Sequence, residues 1–287
     1  MESVRNTSTK QFRPMSWVKG KEARLPPQFT AREEEIEWLS RTAKDIAQIN
    51  SDVHGISDGL RTLGLSKPRV DDETTLLSAL DTELSKLPKH RKSAFCEAQR
   101  KCPQLVDNDV RLSFLRTEDF NAKSAAERLT AYWERKRNLF GAEKCFLPVT
   151  LRGAMKDDAF AIFQGIIRIL PSRDNRGRVI TFVDHNNYKP GLCSTESLLR
   201  ACWYVLSVAS EYSEQVVLLS TGKDFRCLEH FNYELYTGIV DLERCYLPFR
   251  YQSLHHCYPS MFFHLISPIV KYFMGGRLRA RWVCHAG

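Results

Sequence analysis

The feature that most constrains this chain is a segment near its end, residues 259–273, whose side chains are apolar nearly all round. A helix on the surface of a globular protein shows one apolar face and one polar face. Here the apolar residues occupy every side, and they are Met261, Phe262, Phe263, Leu265, Ile266, Pro268, Ile269, Val270, Tyr272 and Phe273. The segment is therefore expected either to lie buried between other elements or to cover an apolar space that is filled and emptied.

The elements around this segment predict an α/β domain. A strand-like run over residues 249–257 precedes it, and a second run over 280–285 follows a glycine break. Upstream, the pattern alternates between strands and helices: strands at 165–170 and 178–183 around a turn, a helix over 195–210, a strand at 216–219, and a helix with Leu235, Ile239 and Leu242. Such alternation implies a mixed, mostly parallel sheet with crossover helices.

The first half of the chain is predicted to be helical. Thr30 and Glu33 have the spacing of a capping box, which predicts a helix over residues 31–49. Further helices are predicted from Asp72 to Pro88, over 89–100, around Val110, Phe114 and Leu115, and from Asn121 to a stop at Gly141. Residues 1–29 mix Ser, Thr, Lys, Arg and Pro and are predicted to form a poorly ordered tail.

Composition narrows the class of protein. A chain of 287 residues with 43% hydrophobic and 26% charged residues has the composition of an ordinary globular protein of one or two domains. No run reaches the ~18–20 apolar residues of a bilayer span, and the N-terminus lacks the apolar core of a secretory signal. The nine scattered cysteines are then expected to be reduced thiols. We therefore expect a cytoplasmic protein.

The charge balance indicates an anionic partner. Lys and Arg number 42 against 34 Asp and Glu, which gives a formal net charge of +8. This excess suits nucleic acid or the acidic leaflet of a membrane. No nucleic-acid motif accompanies it, so nucleic acid is not expected, whereas transient peripheral contact with an anionic membrane is. A basic face that meets only water stays an open alternative.

Motifs for catalysis or metal binding are weak. His255 and Cys257 share a strand face, a spacing that metal ligands can have, but a buried His beside a buried Cys is commoner. Asp184 and His185 are adjacent and leave a strand on opposite faces, so they form no ready acid–base pair. The sequence contains no Gly-x-Ser-x-Gly elbow and no Gly-x-Gly-x-x-Gly phrase. No catalytic residue, metal or cofactor is predicted.

Three phrases in order carry a resemblance to a known family. They are CPQLV to LSFLR (residues 102–116), NRGRVITFVD (175–184) and YLPFR to HAG (246–287). Together they resemble the CRAL-TRIO lipid-binding family, which includes the yeast phosphatidylinositol-transfer protein and the tocopherol and retinaldehyde carriers. The resemblance covers about residues 75–287.

The resemblance implies an organisation of the whole chain. Residues 1–70 would be a poorly ordered or helical extension, 71–145 the helical N-terminal module, and 146–287 the lipid-binding domain, which in the family usually runs some residues past the glycine that corresponds to Gly287. In that domain a mixed, mostly parallel sheet with crossover helices encloses an apolar pocket. The segment 259–273 would be a mobile gate over the pocket.

The expected pocket wall follows from the same resemblance. Its apolar side chains would be Ile180, Phe182, Val183, Val216, Leu218, Ile239, Leu242, Leu247 and Phe249, with Phe262, Phe263, Ile266, Ile269 and Val270 from the gate. A plain core position is the alternative for each, because apolar periodicity marks core faces generally.

The expected headgroup contacts are basic, while an acidic residue of the family pattern is missing from this chain. They are Arg250, Arg277, Arg279 and Arg281, of which the last three are predicted to share a strand face towards headgroups or water. Phosphatidylinositol binders have an acidic residue where this chain has Phe249. Phosphatidylinositol is therefore in doubt, and another phospholipid or an isoprenoid is as reasonable.

The function that follows is binding and inter-membrane exchange of one small lipophilic molecule by a non-enzymatic, monomeric protein. Two alternatives stay open. One is an adaptor with an empty CRAL-TRIO-like domain that docks on a protein or a membrane. The other is an α/β enzyme with an apolar substrate, which needs a nucleophile or acid–base set that the sequence does not display.

Overall fold

The structure is a computed structural model that describes residues 29–54, 72–213, 215–221, 223 and 231–285. The tail predicted at residues 1–29 lies almost entirely outside this range. The side chain of Phe262 is also outside the described part.

The first described segment contains two helices, α1 (Ala31–Leu39) and α2 (Ala43–His54), where the sequence predicted one. The capping box at Thr30 is confirmed: its hydroxyl accepts from the Glu33 amide, and the Glu33 carboxylate accepts from the Thr30 amide. The break between α1 and α2 has a similar cause. Thr42 and Asp45 exchange the same pair of hydrogen bonds, at 3.0 and 3.2 Å, and so begin a second helix.

Four helices follow as a compact module, as predicted. They are α3 (Glu73–Lys86), α4 (Ser93–Lys101), α5 (Asn108–Thr117) and α6 (Ala122–Lys144). Their apolar faces meet in a core that contains Leu80, Leu115, Leu129 and Trp133, each at most 1% exposed. Gly141, with φ of 80°, interrupts the helical geometry of α6 where the sequence predicted a stop.

The second half forms one five-stranded sheet with helices against it. The strands are β1 (Ile167–Arg173), β2 (Val179–Asp184), β3 (Gln215–Thr221), β4 (Arg250–Cys257) and β5 (Trp282–His285), and they lie in that order. β1 pairs antiparallel with β2, and every later pair is parallel. The predicted mixed, mostly parallel sheet is confirmed.

A short helix, α7 (Ala159–Phe163), precedes β1. Three helices lie in the crossovers between the parallel strands: α8 (Thr195–Tyr212), α9 (Tyr233–Asp241) and α10 (Met261–Arg279). A π-turn over Leu242–Tyr246 ends α9. Gly238 lets α9 lie close to α8, since a Cβ there would stand 2.6 Å from Leu199. Within the described residues, no helix is long and apolar enough to cross a membrane.

Candidate ligand-binding site

A partly enclosed, largely apolar cavity lies between the sheet, α9 and α10. Its floor includes Val183 on β2, Leu218 on β3 and Leu254 on β4, and its walls include Ile239 and Val270. The cavity has a volume of about 110 Å³. A single water needs ~10–15 Å³ by this measure. The space is therefore several times larger than a site for a single water.

The first part of α10, Met261–Met274, covers this cavity and is called here the gate helix. Phe263 and Ile266 point inward and are 6% and 4% exposed, whereas Met261 and Leu265 point outward and are 83% and 66% exposed. The helix thus has apolar residues on both its cavity face and its outer face, which explains why no polar stripe is visible in its sequence. Gly275, with φ of 70° and ψ of 160°, ends the gate helix by breaking the helical geometry.

A serine–histidine pair forms a buried polar group of the cavity. Ser220 and His256 stand side by side at the ends of β3 and β4, with Ser220 Oγ 2.7 Å from His256 Nδ1. Nε2 of His256 is buried, and none of the residues that the structure describes gives it a hydrogen-bond partner. The ring stacks on Phe263 of the gate helix, with 3.6 Å between ring centroids. Burial lowers the pKa of His256 to about 4, so the imidazole is neutral at pH 7.

A second polar pair lies beside the first. The hydroxyl of Tyr236 is 2.5 Å from Nδ1 of His185, and the two rings stack. The ring of His185 lies 6.1 Å from that of His256. Asn232 donates to the hydroxyl of Tyr188, which also lines the cavity. These two polar pairs therefore lie near the carboxyl ends of β2, β3 and β4, in an otherwise apolar cavity.

Glu243 also borders the cavity, but its charge is matched inside the protein. Its carboxylate accepts from Arg277 at 2.9 Å and from the Tyr251 amide at 3.2 Å. Burial raises the pKa of Glu243, and burial lowers that of Arg277 to about 10. The Glu243–Arg277 ion pair connects the π-turn at Leu242–Tyr246 with α10.

The structure gathers some of the predicted pocket residues and separates others. Val183, Leu218, Ile239, Phe263 and Val270 line the cavity, and Ile269 borders a smaller space next to it. Ile266 packs with Phe263 beneath the gate helix. Four others lie in the domain core without lining the cavity: Val216, Leu242, Leu247 and Phe249.

The structure does not place two predicted wall residues, Ile180 and Phe182, at the cavity, because side chains alternate between the two faces of β2. Val183 faces the cavity, so Phe182 leaves the strand on the other face, where Arg168 lies over its ring at 5.2 Å. Ile180 shares that face by the same period of two. Phe262 lies outside the described side chains, so its predicted role has no structural outcome.

The four arginines are placed differently from the prediction. Arg277 and Arg279 belong to α10 and Arg281 to the turn before β5, so the predicted strand face does not exist. Each of the four has a carboxylate partner: Glu118 and Asp119 for Arg250, Glu243 for Arg277, Glu37 for Arg279, and Asp52 for Arg281. Their charges are therefore engaged within the fold.

The N-terminal residues 29–54, called here the strap, lie across the gate helix. Glu34 pairs with Lys271 at 2.8 Å, and the amide of Phe29 donates to the carbonyl of Pro268 at 2.9 Å. Beyond the break, Arg41 donates to the carbonyl of Gly276 at 3.0 Å. The strap thus touches α10 on both sides of Gly275. No sequence signal for this contact was recognised.

The polar end of the cavity was also missed by sequence reasoning. Apolar periodicity predicts apolar wall residues and carries no information about polar ones. Ser220 also lies 36 residues from His256 in the chain, so their contact is not visible in the sequence. One signal was present: Ser220 follows the apolar run of β3 on the same face as Leu218.

Comparison with known proteins identifies the domain that contains this cavity. Residues 163–287 match the family model of the CRAL/TRIO domain. No curated protein matches the chain. Residues 163–287 thus form a CRAL/TRIO domain, which confirms the resemblance seen in the sequence for this part of the chain, and domains of this family bind small lipophilic ligands.

Proposed function

We propose that this protein takes up one lipophilic molecule into the cavity beneath the gate helix and exchanges it between membranes. The observation that carries the proposal is the gate helix itself. Phe263 and Val270 close an apolar cavity, while Met261 and Leu265 present an apolar surface outward. A helix of this kind suits a lid that meets lipid when it opens.

The energetics favour a closed cavity as the resting state. Shielding a hydrocarbon tail from water recovers about 0.8 kcal/mol per methylene. A space of about 110 Å³ holds only part of a long tail. The gate helix therefore has to shift outward to admit one, and Gly275 supplies a break about which it can turn.

Membrane contact is proposed to be transient and peripheral. Tyr258, Met261 and Leu265 are exposed at the start of the gate helix, where apolar side chains enter the interface of a bilayer. The net charge of +8 draws the protein to an anionic cytoplasmic leaflet. We propose that it works there as a monomer, without nucleic acid.

The action proposed is binding rather than catalysis. Ser220 and His256 are paired through Nδ1, and among the described residues no carboxylate orients the ring through Nε2, as the third member of a hydrolytic triad would. A pKa of about 4 also makes His256 a weak base at neutral pH. An adaptor that docks through its exposed gate residues is the second candidate, because those residues are exposed in the closed form as well.

A transfer assay separates these functions. Donor vesicles of a carbon-14-labelled cellular lipid extract are mixed with the protein and with unlabelled acceptor vesicles, and the label that reaches the acceptors is identified. Leu218→Trp fills the cavity from β3, whereas the matched control Leu219→Trp places the same ring on the opposite face.

The outcomes distinguish exchange, docking and turnover. We expect the wild type and the control to move one class of lipid and Leu218→Trp to lose most of this transfer. Vesicle binding with no transfer by the wild type would favour the adaptor. Label that is recovered as a chemically altered lipid would favour an enzyme.

A further inference from the structure

We infer that His256 is the polar anchor of the cavity, and that it selects a lipophilic molecule whose polar group is one neutral hydroxyl rather than a phosphate. This inference rests on the proposed function and names the ligand class. It is carried by the position of one unsatisfied nitrogen, Nε2 of His256.

First, His256 is 3% exposed and lines the cavity, yet its Nε2 has no hydrogen-bond partner within the described part of the chain. Buried polar atoms are satisfied in the great majority of cases, and an orphan atom calls for a partner that binds. A ligand whose polar group reaches Nε2 removes this deficit, whereas a pure hydrocarbon leaves it in place.

The second step is the chemistry of the imidazole. If Ser220 donates to Nδ1, then Nε2 carries the hydrogen and donates to the ligand. If Nδ1 donates to Ser220 instead, Nε2 accepts from the ligand. A hydroxyl both donates and accepts, so it satisfies Nε2 in either tautomer. An ether or an ester satisfies only the first.

The third step is the charge around the anchor. Among the described cavity-lining residues there is no Lys or Arg, and Glu243 contributes a carboxylate that is matched by Arg277. The neutral state of His256 is consistent with the low pKa that its burial gives it. A phosphate placed at Nε2 would be a buried anion without a cation, which is strongly unfavourable.

The fourth step links the anchor to the gate. Phe263 lies flat on His256 with ring planes at 14°, and it meets Trp282 edge-on. An outward shift of the gate helix removes Phe263 from this stack and opens the anchor to water or to lipid. The ligand hydroxyl would then bind next to the gate, with its tail extending over Leu218 and Leu254.

The test is a competition among probes of one chain length. Purified protein is equilibrated with vesicles of a cellular lipid extract that contain equal amounts of a C20 isoprenoid hydrocarbon, the corresponding alcohol, its methyl ether and its monophosphate. The protein is re-isolated and the retained molecules are measured by native mass spectrometry. His256→Phe keeps the ring and its stack but removes both nitrogens, and His264→Leu, on the exposed side of the gate helix, is the control.

We expect the wild type and the control to retain the alcohol about 3- to 10-fold over the hydrocarbon, the range that one net hydrogen bond provides. In His256→Phe this ratio should fall to about one, while the hydrocarbon is retained as before. If an extract lipid displaces every probe, its mass shows its head group, and a hydroxyl without phosphate supports the inference.

Preference of the wild type for the monophosphate or a phospholipid, or equal retention of alcohol and hydrocarbon, would overturn the inference and leave the proposed function intact. An unchanged ratio in a folded His256→Phe variant would overturn it as well. Retention of no molecule at all would instead refute the proposed function. The wild-type preference decides the matter even if the variant fails to fold.

Discussion

Reversing one charge of the strap should accelerate the exchange of ligand. Glu34 pairs with Lys271 on the gate helix, before the break at Gly275, so outward movement of the gate has to separate the two. The pair is partly exposed and is worth up to about 1 kcal/mol. Glu34→Lys removes this attraction and adds a repulsion of similar size. A change of about 1–2 kcal/mol in the closed state corresponds to about 5- to 30-fold in the population of open gate.

The assay is the release of a pyrene-labelled lipophile from the protein into vesicles of zwitterionic phosphatidylcholine, followed by stopped-flow fluorescence. Such vesicles keep the charge change from acting through the membrane. The expected rate for Glu34→Lys exceeds that of the wild type at 50 mM salt. The difference should shrink at 500 mM salt, where exposed charges are screened.

The charge-swapped double variant, Glu34→Lys with Lys271→Glu, is the matched control. It restores an attractive pair and should return the rate to near the wild-type value. If Glu34→Lys releases ligand at the wild-type rate, or if the double variant is as fast as the single one, the strap does not hold the gate helix closed.

Two further predictions concern stability. Asp52→Asn leaves the buried guanidinium of Arg281 without its charge partner, so the free energy of unfolding in urea should fall by about 3–5 kcal/mol; a loss below 1 kcal/mol would show that the strap is not part of the folded unit. His256 should make the free energy of unfolding depend on pH, because its imidazole takes up a proton near pH 6.5 in the unfolded chain and only near pH 4 in the folded chain. Between these values the wild type should lose up to about 3 kcal/mol of stability as the pH falls, and His256→Phe should lack this part of the decline; identical slopes would contradict the buried, neutral imidazole.

The elements of the fold were predictable where local rules decide them. The capping box at Thr30, the stop at Gly141 and the alternation of strands with helices all rest on short-range geometry. The alternation of side chains along a strand, which is also a local rule, contradicts one part of the predicted pocket wall. Ile180 and Phe182 were assigned to one wall together with Val183, although neighbouring residues of a strand cannot all face one side.

The remaining features depend on contacts between distant parts of the chain. Asp52 and Arg281 are 229 residues apart in the chain. The sequence does not show which carboxylates the four arginines meet, so they were predicted to face headgroups or water, whereas each has a carboxylate partner in the fold. The polar end of the cavity is similar, because Ser220 and His256 meet only through the parallel pairing of β3 with β4. Apolar periodicity indicates that a core exists, but it does not show which residues border a space inside it.

The central claim is that the cavity beneath the gate helix holds one lipophilic molecule, and native mass spectrometry of the protein purified without detergent tests it most directly. The account predicts one added molecule per chain in the wild type and in Leu219→Trp, and its absence in Leu218→Trp, whose new ring occupies the cavity. A wild-type chain that carries no added mass after incubation with lipid extract would contradict the account, as would equal loading of the two tryptophan variants.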